Sequence, residues 1–243
     1  MRYCHTIFAR RHGKGCSAHN WTRRARDATC ASAVAEPPDI VISSATDAPT
    51  LPTDAGLAAM AAEARACTRC TDLPLGPRPV LRVSVTARLL IVGQAPGTKV
   101  HASGIPWDDP SGDRLRAWLG MDRATFYDEA RIAIVPTGLC YPGRLPQGGD
   151  APPRAGCAAH WHPRLLPLLA GLRLTLLVGS HAQDHALGRG AMTARVRAFR
   201  DHLPARFPLP HPSWRTVGWE KRNPWFAAEV LPALREAVGA ALG

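Results

Sequence analysis

From residue 54 onward, the apolar positions follow two alternating patterns. Runs of consecutive apolar residues at 88–93, 131–136 and 173–178, with a shorter one at 206–209, are bounded by Gly, Pro or Arg. Short unbroken runs of this kind predict strands buried on both faces, as in a parallel sheet. Between and after them the spacing predicts helices over 111–120, 153–169, 180–187, 192–203 and 224–241, with Leu115, Trp118 and Leu119 forming one apolar stripe. The Ala-, Leu- and Met-rich segment from Asp54 to Cys67 predicts a further short helix with Asp54 as its cap. Leu73 to Pro79 is too rich in Pro and Gly for a helix interior or a central strand. Alternation of strand and helix defines an α/β chain with helices on both faces of a parallel sheet.

In such sheets, ligands sit just beyond the carboxyl ends of the strands. Two turns occupy such ends. Leu89 to Val92 stops at Gly93 and runs into Gln94-Ala-Pro-Gly97, whose glycines allow close approach of the backbone. The last strand runs into Leu209-Pro-His-Pro-Ser213. Residues 1–50 show no sustained period and mix Arg, Ser, Thr, Pro and Ala, which predicts a disordered basic extension ahead of one domain over 51–243. Cys4, Cys16 and Cys30 fall in that extension without a regular spacing.

The chain of 243 residues carries a net charge of +11, of which residues 67–243 contribute +9. A folded part that is basic in its own right favours a polyanionic partner, nucleic acid first. No apolar run approaches the length of a membrane span, and no signal-peptide pattern opens the sequence, so a soluble, cytoplasmic protein is expected. Seven cysteines in a reducing compartment argue against a disulfide framework. Cys67-x2-Cys70, Cys140 and Cys157 instead have the spacing of metal ligands, suited to zinc or to an iron–sulfur cluster. Cys140 and Cys157 as simple buried residues are the alternative. His160 and His162, close behind Cys157, are possible substitute ligands. His181 and His185 lie four apart and read as structural.

Gly93-Gln-Ala-Pro-Gly97, Gly104-Ile-Pro-Trp107 and His211-Pro-Ser213 together resemble the uracil-DNA glycosylase superfamily. The four cysteines, with Cys140-Tyr-Pro-Gly-Arg144, resemble its iron–sulfur (family 4) branch in order and approximate spacing. The resemblance covers roughly residues 57–240. It implies a three-layer α/β/α sandwich around a four-stranded parallel sheet. It also implies hydrolysis of the N-glycosidic bond of a damaged base in DNA, and a 4Fe-4S cluster, with zinc less favoured, held by Cys67, Cys70, Cys140 and Cys157. The expected form is a monomer acting on DNA.

The same resemblance assigns roles. His211 donates a hydrogen bond to a carbonyl of the departing base. Gln94 and the Ala95 amide, with Gly93 behind them, line the base and position water. Trp107 stacks on the flipped base and Ser213 belongs to the second motif. Asp109 corresponds to a water-orienting aspartate in a related branch, although Asp before Pro110 is also a good helix cap; Asp108 is the next choice. Trp214 and Arg215 form the wedge that enters the minor groove. The match departs at Pro136-Thr137, where uracil-specific members carry Asn. Thr137 offers one hydroxyl where a carboxamide would offer a donor and an acceptor. Gln94 likewise replaces the glutamate common in the iron–sulfur branch. Uracil is the first expectation. Hypoxanthine, xanthine, or a catalytically weak member that only binds DNA or damaged bases are the alternatives, with a redox or regulatory metal protein as a third class.

Overall fold

The computed structural model describes residues 53–243; the expected extension over 1–50, with its three cysteines, lies outside the described residues. Four strands, β1 (Leu89–Val92), β2 (Ile132–Ile134), β3 (Leu174–Val178) and β4 (Arg206–Leu209), form one sheet in the order β2-β1-β3-β4. Every pairing is parallel: Leu89 is in register with both Ile132 and Leu174, and Leu176 with Phe207. All four carboxyl ends therefore open on one edge.

Alternate side chains of β1 feed separate cores. Leu89 and Ile91 join a cluster with Leu115, Trp118, Phe126, Phe207, Phe226 and Leu234. Leu90 and Val92 join another with Leu57, Ala64, Trp161, Leu165 and Leu177. A strand apolar at every position has to be covered on both sides, and helices supply that cover. On the first face lie α3 (Pro110–Leu119) and α9 (Leu231–Leu242), the latter entered through a π turn at Phe226–Val230. On the second lie α1 (Asp54–Arg65), α5 (Ala155–Leu165) and α6 (Ser180–Leu187). The result is the expected three-layer α/β/α sandwich around a four-stranded parallel sheet.

Three short helices escaped the periodicity reading, because one or two turns of helix show little pattern. They are α2 (Thr98–Ser103), α4 (Arg123–Phe126) and α8 (Thr216–Arg222). The expected helix at 192–203 is α7 (Met192–Arg197) followed by a tighter turn at Phe199–His202. Trp219 and Trp225, which mingle with basic residues in the sequence, pack edge-on at 5.6 Å and face the first core, with Trp219 donating to Thr193 Oγ1 at 2.8 Å.

One cap differs from expectation. Thr53, not Asp54, is the N-cap of α1: its hydroxyl accepts from Gly56 N–H at 3.1 Å, while Asp54 occupies the first turn. Replacing Thr53 by Ala removes that acceptor and costs about 1 kcal/mol, whereas Asp54→Ala loses only a helix-dipole contribution of roughly 0.5 kcal/mol. Urea unfolding of the two variants checks the order.

Candidate active site

A cavity of about 590 Å³ opens at the carboxyl edge of the sheet, lined by both predicted turns: Gly93 to Gly97 from β1, and His211, Ser213, Trp214 and Arg215 from β4. The two strands are separated by β3, so the loop after β3 has to stay low. Gly179 does this: a Cβ there would lie 3.3 Å from His211 Cβ. Its φ of 89° is itself a conformation suited to glycine.

Trp107 forms one wall. A Cβ on Gly93 would approach the Trp107 ring to 2.8 Å, so the absence of a side chain at 93 lets the indole lie over the end of β1. Trp107 has a φ of 60°, strained for a bulky residue. Three neighbours hold it. Gly112 leaves room for the Trp107 carbonyl, which would be 1.8 Å from any Cβ there; Arg116 donates to that same carbonyl at 3.3 Å; Tyr127 Oη donates to Pro106 O at 2.9 Å. The indole and the His211 imidazole lie 5.7 Å apart, tilted by 33°.

Burial lowers the His211 pKa, opposed by Asp109 and aided by His181, so the ring is neutral at neutral pH. Its loop is tied down from several sides. Thr216 Oγ1 donates to the His211 carbonyl, Gln183 Nε2 to Leu209 O at 2.8 Å, and Arg114 to Ser213 O at 3.0 Å while pairing with Glu220 at 2.6 Å. Arg114 and Gln183 were not apparent from sequence, because nothing in their local pattern marks a contact across the fold.

Gln94 turns its amide group toward Ala151 O, 3.2 Å away, leaving Oε1 as an acceptor. Ala95 and Pro136 line the cavity, but Thr137 does not. Thr137 is buried behind the wall, its hydroxyl facing Gln94 O at 2.6 Å and Gly93 O at 3.1 Å. The structure thus gives Thr137 a buttressing place, in contrast with the expected contact to the base.

Two carboxylates, Asp109 and Asp150, line the cavity; Asp108 is not among the lining residues. Asp108 is held below its ordinary pKa chiefly by Arg123, 2.7 Å away. Asp109 caps α3, Oδ1 accepting from Gly112 N–H at 2.8 Å, so the cap and the cavity wall are the same residue. Asp150, which sequence reasoning missed, arrives on a hairpin whose backbone is bridged, antiparallel, between positions 144 and 150. Trp214, in the cavity lining, is 78% exposed, with the Arg215 guanidinium 5.4 Å from its ring centre.

Cys67, Cys70, Cys140 and Cys157 together line a second, smaller cavity with Leu73, Pro77, Leu139 and Trp161, and all four are free thiols. Leu139 N–H donates to Cys157 Sγ at 3.3 Å. Burial, with the three other sulfurs nearby, pushes the Cys140 thiol up to about 11. Among the described residues, no three His, Cys, Asp or Glu side chains are grouped tightly enough to hold a single metal ion. Neither His160 nor His162 joins the cysteines, in contrast with their suggested role as substitute ligands: His160 meets Arg164 at 3.2 Å, and His162 Nε2 donates to Pro136 O at 3.1 Å.

The folded architecture and the cavity define an α/β protein with an open site between the ends of β1 and β4. The family model described as the uracil DNA glycosylase superfamily matches residues 82–235, well over half of the chain, and the chain belongs to that superfamily. Membership supports a DNA glycosylase-type function in general terms, with DNA as the partner. Among the described residues, no helix is long and apolar enough to cross a membrane.

His162 makes the site's support pH-dependent. Burial lowers its pKa from 6.5 to about 4, so the unfolded chain binds the additional proton between those values. Stability is full above the unfolded pKa and falls as pH drops through this window, by at most about 3 kcal/mol. In His162→Gln that part of the slope disappears, which urea unfolding at a series of pH values measures.

Proposed function

We propose that this chain is a DNA N-glycosylase that hydrolyses the bond between a deaminated base and its sugar, with uracil the first substrate. The observation that carries the reading is the convergence of Gln94, Trp107 and His211 on one cavity, from loops far apart in sequence. A base inside a duplex is shielded, so the nucleotide has to be turned out of the stack, at a cost of a few kcal/mol. Trp214 and Arg215, exposed at the rim, suit insertion into the space left behind.

Deaminated bases share a lactam edge, a carbonyl next to an N–H. A neutral His211 can donate to the carbonyl and Gln94 Oε1 can accept from the N–H, whereas cytosine and adenine present the opposite order at that edge. As the glycosidic bond breaks, its electron pair leaves on the base, and the His211 hydrogen bond strengthens as that charge develops. Asp109, through the oxygen not used by the cap, orients water toward the sugar. No carboxamide stands at 136–137 to complete a uracil-specific contact, and Thr137 is committed to the backbone. That observation favours a second reading, acceptance of hypoxanthine or xanthine as well.

The cysteine set fits a 4Fe-4S cluster. Its donors are all sulfur, they share one largely apolar cavity, and Leu139 N–H already donates to one of them. Cys67, Cys70, Cys140 and Cys157 would hold the group, whose contribution is to order the loops around Cys140, including the chain leading to Arg144. Purified protein is expected to carry iron and absorb broadly near about 400 nm. Cys140→Ser is expected to lose solubility more than base preference; soluble, fully active Cys140→Ser protein would contradict a structural cluster.

The activity test uses oligonucleotides carrying uracil, hypoxanthine or xanthine, with abasic sites then cleaved by alkali. Excision of at least one base is expected, and His211→Ala should slow it about 100-fold or more, with DNA retardation preserved. Retardation without excision by the wild-type protein would instead make it a binder.

A further inference from the structure

Asp150 has no counterpart in the motifs that drew attention to this site, and its surroundings differ from those of the other two acids. Asp108 is committed to Arg123, and Asp109 gives one oxygen to the cap of α3. Among the described residues, the Asp150 carboxylate has neither a hydrogen-bond nor an ion-pair partner, although it lines the cavity; the residue as a whole is exposed, so water reaches it.

Its position is set by the hairpin over 143–151. Leu145 N–H donates to Gly149 O at 2.9 Å and Ala151 N–H to Gly143 O at 2.8 Å, which turns Asp150 inward. Ala151 O then accepts from Gln94, which links the hairpin to the β1 loop. At the hairpin tip, a Cβ on Gly149 would come within 2.8 Å of the Arg215 guanidinium. The hairpin therefore touches the wedge loop and the base-binding loop at once. Across the cavity, Gly97 has the two acids for neighbours: a Cβ there would lie 3.3 Å from Asp150 Oδ2 and 4.0 Å from Asp109 Oδ2. Each acid turns one oxygen toward the same patch of open wall.

We infer that Asp150 is a second catalytic carboxylate, acting with Asp109 on the sugar and the incoming water. This rests on the glycosylase reading above. The chemistry calls for such a pair. The C1′–N bond breaks with both electrons leaving on the base, and the sugar becomes cationic; two carboxylates beside it lower the energy of that cation. A water oxygen then bonds to C1′ and sheds a proton to Asp150. That proton passes to solvent, and the base anion takes one up from solvent, so that water has been added across the bond. Burial and the nearby Asp109 raise the Asp150 pKa, opposed by Arg144 and Arg215, and a raised pKa makes a carboxylate a better proton acceptor. Asp109, fixed at the helix start, is the more rigid partner.

The test is single-turnover excision at saturating enzyme, on whichever deaminated base the wild-type protein removes. Asp150→Asn keeps the shape and removes the charge. Its maximal rate is expected to fall about 100-fold, with affinity for a tetrahydrofuran abasic duplex within threefold and thermal midpoint unchanged. Asp109→Asn is the companion, because Asn also caps helices; the double variant should lose less than the product of the two single losses. A fall in maximal rate of less than tenfold in Asp150→Asn, or a loss confined to DNA affinity, overturns the inference and leaves the glycosylase reading intact. Wild-type protein that removes no base from any duplex overturns both.

Discussion

The site depends on one constraint: two loops that bear the chemistry leave strands that are not neighbours. β1 and β4 flank β3, and only a parallel sheet brings all three carboxyl ends to one edge. Even then the loop leaving β3 would separate Gln94 from His211 if it carried bulk. Gly179, bent at positive φ directly beneath the imidazole, removes that obstacle. Gly93 does the same for Trp107. The cavity is thus a consequence of missing side chains at strand ends as much as of the groups that line it.

Around that opening, the groups that meet the base are held by others that do not. Arg114 binds Ser213 and Glu220, Gln183 holds Leu209, Thr137 ties back the Gly93–Gln94 carbonyls, and His162 ties Pro136. Each is a buried or half-buried polar group spent on a backbone carbonyl or a neighbouring ion, which fixes loops that would otherwise be mobile. Preorganisation of this kind matters for a reaction whose main lever is electrostatic, since donors already in place need no reorganisation as the base acquires charge. The neutral state of His211 belongs to the same design, because burial and His181 outweigh the pull of Asp109.

Much of this was legible in the chain alone. The strands stood out because residues buried on both faces leave no polar position to interrupt the run, and β1, β3 and β4 fall within a residue or two of expectation. The two turns were visible as Gly- and Pro-rich breaks at strand ends. The cysteines, though spread over 90 residues, do line one cavity. What escaped is equally physical. Asp150 sits in a Gly- and Pro-rich stretch with no period, and the backbone pairing of the 143–151 hairpin turns it inward. Thr137 is one step from the cavity wall, and loop conformation decides which of Pro136 and Thr137 faces it. Thr53 and Asp54 are both good caps, and backbone geometry chose between them. Arg114 meets Ser213 across 99 positions, a separation that no local signal spans.

The claim that both loops close on a single extruded nucleobase is tested most directly by a crystal structure with duplex DNA carrying 2′-fluoro-2′-deoxyuridine, whose fluorine slows bond cleavage. The expected result is a uracil turned out of the helix against Trp107, with His211 within hydrogen-bond distance of a carbonyl, Gln94 facing the ring N–H, and Trp214 in the vacated stack. A uracil left paired in the duplex, or bound away from the imidazole of His211, would contradict it.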